Sequence, residues 1–422
     1  MNNKKKLLIY SDCYIFGGSE QMMLSIISNQ IVKEEYEIHF AYRNHQYYKR
    51  GLGEQYGLDI ENFHPLFVLS NDTLFYKIRK LKCSSFIKNV LMFPLWCLQR
   101  TGLYSIYNFF VITSLVRKIN PDIVHINNGG YPGAKSCGIA VFAAKMKKIK
   151  NIIYQVNNRA SKKKNKFSKW FDENVINKNV TYFVTGSKEA REILSQNRGF
   201  NLDKIIQLPN TILDRPVIKN REQLLSSLSL SDNVFLVCQV AFLSKRKGQA
   251  FLIEAVKKIE SLEPELFKYL RVVFVGDGED ELALKNIVQN NNLTSHIFFT
   301  GYRSDYFDFI NACDVFVLPS ISSEDMPLVV LEAMNRTKTI IASNFAGIKE
   351  EIEDSVSGIL VEPNPITLAQ DIAEAIIYSY THRSMNDYGM NAKKRFDDYF
   401  SSREYGKRLL EIYKLAADKK NN

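Results

Sequence analysis

Paired cysteines are missing from this sequence. Its six cysteines, Cys13, Cys83, Cys97, Cys137, Cys238 and Cys313, stand singly across 422 residues, with no C-x-x-C among them. That spacing excludes a disulfide frame or a zinc site and fits reduced thiols in a cytoplasmic compartment. Long apolar runs are also missing. Lys88 and Arg100 bound an uncharged run of 11 residues, and Arg100 and Arg117 bound one of 16. Both fall short of the roughly 18 or more expected of a spanning helix. The opening MNNKKKLLIYSDCYIFGGSE is basic, but its apolar run is too short for a signal peptide. There is no short-period repeat, no low-complexity tract and no complete G-x-G-x-x-G fingerprint. No RNA- or DNA-binding motif occurs, so nucleic acid is not an expected partner.

The apolar and charged fractions are ordinary for a globular chain, and 422 residues suggest two domains. Charge is unevenly spread: residues 1–210 hold 31 Lys+Arg against 15 Asp+Glu, and residues 211–422 hold 25 against 30. A net +16 half suggests an anionic neighbour; the plainer reading is a lysine-rich surface. Short β-branched and aromatic runs alternate with helical patterns. KKLLIYS, YEIHFAY, LFVLS, PDIVHIN, NIIYQV, TYFVTG and KIIQLPN read as strands in the first half. VFLVCQV, RVVFVGD, HIFFTG, DVFVLPS, TIIASN and GILVEP do so in the second, with helices expected at 279–291 and 365–380. Near-continuous apolar strands between helices predict parallel sheets covered on both faces. Two such sets predict two doubly wound α/β domains, with a seam in the proline-containing stretch 208–223.

Two glycine loops follow strands. Gly17 and Gly18 in FGGSEQMML precede a helix and would let a phosphate approach its N-terminus. Gly276 and Gly278 in VVFVGDGEDE mark a turn, where Asp277 and Glu279 read as solvated acids rather than metal ligands. The most informative block is SSEDMPLVVLEAM, where Glu324 and Glu332 stand eight positions apart. Pro327 suits a first helical position, so the block predicts a helix opening at the end of a buried strand. Its N-terminus suits a diphosphate. Glu332, a turn further in, suits ribose hydroxyls; Glu324, in the loop, suits the sugar beyond the phosphates. The competing reading is a surface acid plus a helix-capping acid.

This block resembles the E-x7-E signature of glycosyltransferase family 4, retaining enzymes of the GT-B fold. FGGSEQMML, PDIVHIN, YFVTGSKEAREIL, KIIQLPN, VAFLSKRKGQ, FVGDGED and GIKEEIEDSVSGILVEPNP resemble other segments of that family. The likeness is weakest over 43–120. It implies two Rossmann-like α/β domains facing across a cleft. Residues 1–210 would bind the acceptor and 211–395 the donor, with 396–422 crossing back to the first domain. It implies a metal-independent, retaining hexosyl transfer from a nucleotide-diphosphate sugar, UDP ahead of GDP, without a cofactor. The acceptor would be a glycan or lipid-linked glycan in cell-surface polysaccharide synthesis. Carried onto this sequence, it implies that Lys247 holds the diphosphate with Arg246 close by, and that Glu332 binds ribose. Glu324 would hold the donor sugar, making Glu324 and Lys247 the catalytic pair. Met326, Pro327 and Leu328 would line the pocket through their backbone, Tyr302 would lie near the base, and Gly17 and Gly18 would close over the phosphates.

Two departures stand out. Ala241 and Phe242 occupy positions where the family usually has Gly-Arg, with Lys245 and Arg246 as substitutes nearby. Asn157 stands where a histidine is frequent, leaving His125 and Asn157 as acceptor-side candidates. These departures motivate an alternative, a non-catalytic partner subunit of an active transferase. A further expectation concerns the apolar stretch 86–116, bordered by Lys77, Arg79, Lys80, Lys82 and Lys88. A second basic run, SKKKNKFSKW at 161–170, carries Phe167 and Trp170. Lysine interleaved with apolar groups predicts peripheral contact with an anionic membrane surface; the plainer expectation is a buried helix with solvated lysines.

Overall fold

The computed structural model describes residues 4–13, 16–53, 61–81, 83–162, 165–383 and 387–419. Lys82, Lys163, Lys164 and the side chain of Phe167 lie outside the described residues. The chain divides into two compact units, Met1–Leu208 with Gly406–Asn422, and Pro209–Tyr405.

The first unit is built on a seven-stranded parallel sheet. Its strands are β1 (Lys5–Ser11), β2 (Tyr36–Arg43), β3 (Phe63–Leu66), β4 (Ile123–Asn128), β5 (Asn151–Val156), β6 (Tyr182–Thr185) and β7 (Ile205–Gln207). They run in the order β3-β2-β1-β4-β5-β6-β7, with Leu7 opposite Ile38 on one side of β1 and Ile123 on the other. The helices used below are α1 (Gly18–Ile27), α2 (Asp72–Arg79), α3 (Ser85–Arg100), α4 (Leu103–Ile119) and α5 (Lys135–Met146). The strand expected in LFVLS ends at Leu66. Residue 69 instead pairs with a side chain: Asn108 accepts from the Leu69 N–H at 2.8 Å and donates to its carbonyl at 3.0 Å. An amide group thus replaces a neighbouring strand.

The second unit carries a six-stranded parallel sheet: β8 (Phe235–Val240), β9 (Leu270–Val275), β10 (Ile297–Phe299), β11 (Val315–Leu318), β12 (Thr339–Ser343) and β13 (Ile359–Val361). Their order is β10-β9-β8-β11-β12-β13. Alternate residues of one strand enter opposite cores. Phe235 and Val237 pack on one face with Val315 and Val317, while Leu236 and Cys238 pack on the other with Phe316 and Leu318. Burial on both faces explains why these strands read as unbroken apolar runs. Three further helices matter: α6 (Leu328–Asn335), α7 (Ile348–Glu351) and α8 (Ser402–Asp418). The helices expected at 279–291 and 365–380 run Glu281–Asn290 and Leu368–Thr381.

Residues 406–419 of α8 and its end pack within the first unit. Tyr413 packs edge-on to Tyr36, and Lys419 lies over the Tyr182 ring. The apolar stretch 86–116 is two helices, broken at Gly102 with φ +80°. Among the described residues no helix is long and apolar enough to cross a membrane. The expectation of a buried helix fails for α3, which buries only Met92.

Candidate active site

The strand order of the second sheet reverses between β8 and β11. Open α/β sheets bind ligands beyond the strand ends at such a point. The loop after β8 leads to a 3-10 turn at Lys245–Lys247, and the loop after β11 leads to α6. Gly248 closes the first loop at φ +74°, and a Cβ there would collide with the Pro319 carbonyl of the second. Only glycine permits that approach.

Lys247 is buried, and its ammonium contacts Glu324 Oε1. The same oxygen accepts from Ser320 Oγ at 3.0 Å and from Arg246 Nη1 at 3.3 Å. Arg246 Nη1 also donates to the Ser323 carbonyl at 3.2 Å, and Ser323 is left-handed at φ 55°. Burial lowers the Lys247 pKa, and Glu324 opposes that shift. The site therefore holds two cations on one carboxylate oxygen.

Pro327 is the N-cap of α6 (φ −75°, ψ 121°), one position earlier than its expected place in the first helical turn. The extended ψ puts it outside the helix, and Leu328 opens the turn. Met326 is buried. Its carbonyl accepts from Asn210 Nδ2 at 2.8 Å, and its sulfur accepts the Asn210 N–H at 3.2 Å. Glu332 lies one turn into α6 and is 2 % exposed. Its Oε2 stands 3.8 Å from Arg336 Nε and accepts no hydrogen bond among the described residues. Burial raises the Glu332 carboxyl from 4.5 to about 7, while Arg215, Arg336 and a Tyr306 hydrogen bond pull it down. Burial, Glu332 and the neighbouring Tyr302 raise the Tyr306 hydroxyl in turn, although Arg215 and Arg336 pull it down. Tyr302 itself is exposed, just beyond β10.

Arg246, Lys247 and Glu324 are thus in direct contact. Met326, Pro327 and Leu328 follow at the opening of α6, and Glu332 lies in a separate buried cluster with Tyr306 and Arg336. Sequence reasoning missed Glu351 at the end of α7. It is fully buried, neither carboxylate oxygen accepts a hydrogen bond among the described residues, and burial with Asp325 and Glu324 raises its pKa.

In the first unit, Gly17 caps α1 and Gly18 opens it; a Cβ on either would meet nothing within 4 Å. His125 is fully buried in β4. One ring nitrogen meets the Tyr413 hydroxyl at 2.7 Å and the other meets Gln155 Oε1 at 2.9 Å. Burial lowers its pKa to about 4. Both nitrogens serve the fold in this setting. Asn157 joins two strand ends, donating to Asn127 Oδ1 and to the Asn128 carbonyl, and accepting from Gln155 Nε2 at 2.8 Å.

The first sheet also reverses order, between β1 and β4, and a cavity of about 400 Å³ opens there. Asp12, just past β1, pairs with Arg43 at the end of β2 and accepts from Ser136. Arg43 also reaches Ser70 Oγ at 2.8 Å and Asp72 at 3.4 Å. Glu20 of α1 accepts from Ser11 Oγ at 2.7 Å and from Ser19, and burial raises it to about 7. Asn127, Asn128, Gly129 and Gly130 line the same cavity. Neither His125 nor Asn157 is among its lining residues. The available signal was the strand-end position of Asp12 and Arg43; the neighbouring glycines drew the reading instead.

Two parallel α/β units with these strand orders define the GT-B class of fold. A glycosyltransferase from Rickettsia africae superposes with a TM-score of 0.74 at 19% identity, over 98% of this chain and 99% of that one. The Anabaena protein HepE in complex with UDP superposes with a TM-score of 0.72 at 17% identity, over 96% and 98%. Residues 220–395 match the model of the family described as glycosyl transferases group 1. The chain is 26% identical over 329 residues to the Escherichia coli UDP-Gal:alpha-D-GlcNAc-diphosphoundecaprenol alpha-1,3-galactosyltransferase, across 76% of this chain and 82% of that protein. Both units share the GT-B fold and residues 220–395 match a glycosyltransferase family, which bears out the resemblance carried by the E-x7-E block.

Proposed function

We propose that this glycosyltransferase moves a hexosyl group from a UDP-sugar to a lipid-linked glycan acceptor, with retention at the anomeric carbon, in cell-surface polysaccharide synthesis. The observation that carries this reading is the contact of Lys247 and Arg246 with Glu324, four residues before α6 opens, at the strand-order reversal of the second sheet. An anionic diphosphate fits two cations beside a helix N-terminus. The relative named for UDP-Gal and a diphosphoundecaprenol acceptor supports the donor and acceptor classes, and a protein solved with UDP shares the fold.

In this reading the acceptor hydroxyl attacks the anomeric carbon on the face that the diphosphate leaves. The C–O bond to phosphate breaks as the new glycosidic bond forms, and a leaving-phosphate oxygen takes the acceptor proton. Lys247 and Arg246 stabilise the charge on the departing UDP. Glu324 holds the donor sugar, and Glu332 accepts from ribose. The positive charge comes from protein groups, so UDP release persists in EDTA. The acceptor's sugar occupies the cavity of the first unit, where acids, amides and hydroxyls suit a polyol.

A thermal-shift screen of nucleotide-diphosphate sugars tests the donor class, since a bound donor stabilises the folded chain by mass action. UDP release and the anomeric configuration of the product then test transfer. Stabilisation by no UDP-sugar would overturn the donor assignment. Phe242, exposed where the family has Arg, favours a second reading as a non-catalytic partner subunit. Binding of UDP-sugar without UDP release, with or without acceptor, would select it.

A further inference from the structure

The helices α3 and α4 combine two features that a water-exposed hairpin has no reason to combine. Both are apolar, and much of that apolar surface faces solvent. Eleven large apolar or aromatic side chains between Phe86 and Phe110 are exposed, among them Phe86 at 76%, Phe93 at 62% and Phe110 at 66%. Phe86, Val90 and Phe93 repeat at helical spacing along α3, as do Leu103, Ile106, Tyr107 and Phe110 along α4. The hairpin is nevertheless fixed in place. Ile112, Leu115, Val116 and Ile119 of α4 sit in the core of the first unit. Asn71 holds the hairpin from outside, donating to the Leu95 carbonyl at 2.6 Å and accepting from the Tyr104 hydroxyl at 2.9 Å. An exposed apolar patch of this extent marks an interaction surface.

Charge selects the partner. Residues 73–121 contain eight lysines and arginines and no aspartate or glutamate. A second copy docked on the same face would set those charges against themselves. A surface with an apolar interior and an anionic rim complements both features. The same hairpin also reaches the polar cavity, which Gln99 of α3 and Tyr104, Ser105 and Asn108 of α4 help to line.

We propose that the exposed face of α3 and α4 docks on an anionic phospholipid bilayer and presents the cavity at the β1–β4 reversal to acceptors carried in that bilayer. This deepens the proposed function and rests on its lipid-linked acceptor. The side chains enter the interface with Lys77, Arg79 and Arg100 among the headgroups.

Flotation with vesicles of phosphatidylglycerol and phosphatidylcholine, or phosphatidylcholine alone, tests the proposal. The full chain binds the anionic vesicles, binds neutral ones at least about tenfold less, and is released by high salt. Substituting Phe86→Gln, Phe93→Gln and Phe110→Gln together abolishes flotation. Reversing Lys77→Glu, Arg79→Glu and Arg100→Glu lowers partitioning by about a hundredfold or more. All six positions are exposed, and circular dichroism confirms that each variant folds. Stabilisation by UDP is measured on the same samples and stays at the parent level, so failure of the docking surface is separable from failure of the donor site. Flotation of both triple variants like the parent, or no flotation of the parent, overturns the proposal. So does a parent dimer in the ultracentrifuge that the phenylalanine substitutions dissolve, since it gives the face to a second copy.

Discussion

Replacing Glu332 with glutamine separates what this carboxylate does for the fold from what it does for the donor. In the folded chain it titrates near pH 7; in the unfolded chain it titrates near 4.5. An acid whose pKa is raised by folding keeps its proton in a window where the unfolded chain has lost it. Stability is therefore full below about pH 4.5, falls as pH rises towards 7, and levels off above. The loss is about 3 kcal/mol at 1.36 kcal/mol per pH unit. Glutamine has the same shape, keeps a hydrogen bond to Tyr306 and does not ionise. The melting temperature of Glu332→Gln minus that of the parent should therefore grow from pH 5 to pH 8. At about 2–4 °C per kcal/mol for a unit of this size, the growth is roughly 4–12 °C. Donor binding should move the other way. A ribose hydroxyl bonded to a charged acceptor contributes about 1.5–3 kcal/mol, so UDP affinity by calorimetry at pH 8 falls roughly ten- to a hundredfold. The variant is then more stable and less able to bind, a trade expected where function requires a buried charge. A melting difference equal at both pH values would refute the burial argument. Unchanged UDP affinity would remove Glu332 from the donor site.

Glu324→Ala should leave UDP affinity within about threefold of the parent but cut UDP release by at least about a hundredfold, because it acts on the sugar; equal losses in both assays would refute that role. Glu351→Met should stabilise the chain by about 1–3 kcal/mol in thermal unfolding, since a buried carboxyl with neither oxygen bonded among the described residues is replaced by an apolar side chain of similar volume; a drop in stability would refute that account of the carboxyl. His125→Gln should flatten acid sensitivity. A histidine titrating at about 4 when folded and 6.5 when unfolded adds stability above 6.5 that is lost as pH falls towards 4, so the parent loses about 3 kcal/mol that the variant keeps. Asp12→Asn should cost about 3 kcal/mol in denaturant unfolding by leaving the buried Arg43 with the half-exposed Asp72 as its carboxylate partner among the described residues.

The two sheets were legible because most of their strands are buried on both faces and rich in apolar residues. The pair Glu324 and Glu332 was legible because one block, 322–334, carries a loop after a strand, a helix start and both acids within a short span. Three things escaped. Asp12 and Arg43 lie 31 positions apart, and only the parallel pairing of β1 with β2 brings their loops together. Glu351 sits in a run of acids that reads as a solvated surface, and nothing local distinguishes the one that turns inward. The LFVLS strand has the right residues, but the Asn108 side chain supplies the hydrogen bonds a strand neighbour would have made, and that competition is invisible locally. The stretch 86–116 was read as short of a membrane span, which holds, but its division at Gly102 and the exposure of α3 depend on a core that only the folded unit defines.

The placement of residues 406–419 in the first unit constrains the order in which the molecule can be made. The opening two hundred residues leave the ribosome with a gap where α8 belongs. Until the last segment emerges, His125 lacks the Tyr413 hydroxyl and Tyr36 lacks its aromatic neighbour. The intervening unit, Pro209–Tyr405, contains every strand of its own sheet and can finish first. A nascent chain therefore holds a complete second unit and an unfinished first one. A stop codon shortly after Tyr405 would leave the second unit intact while the oldest part of the polypeptide stayed open to proteases.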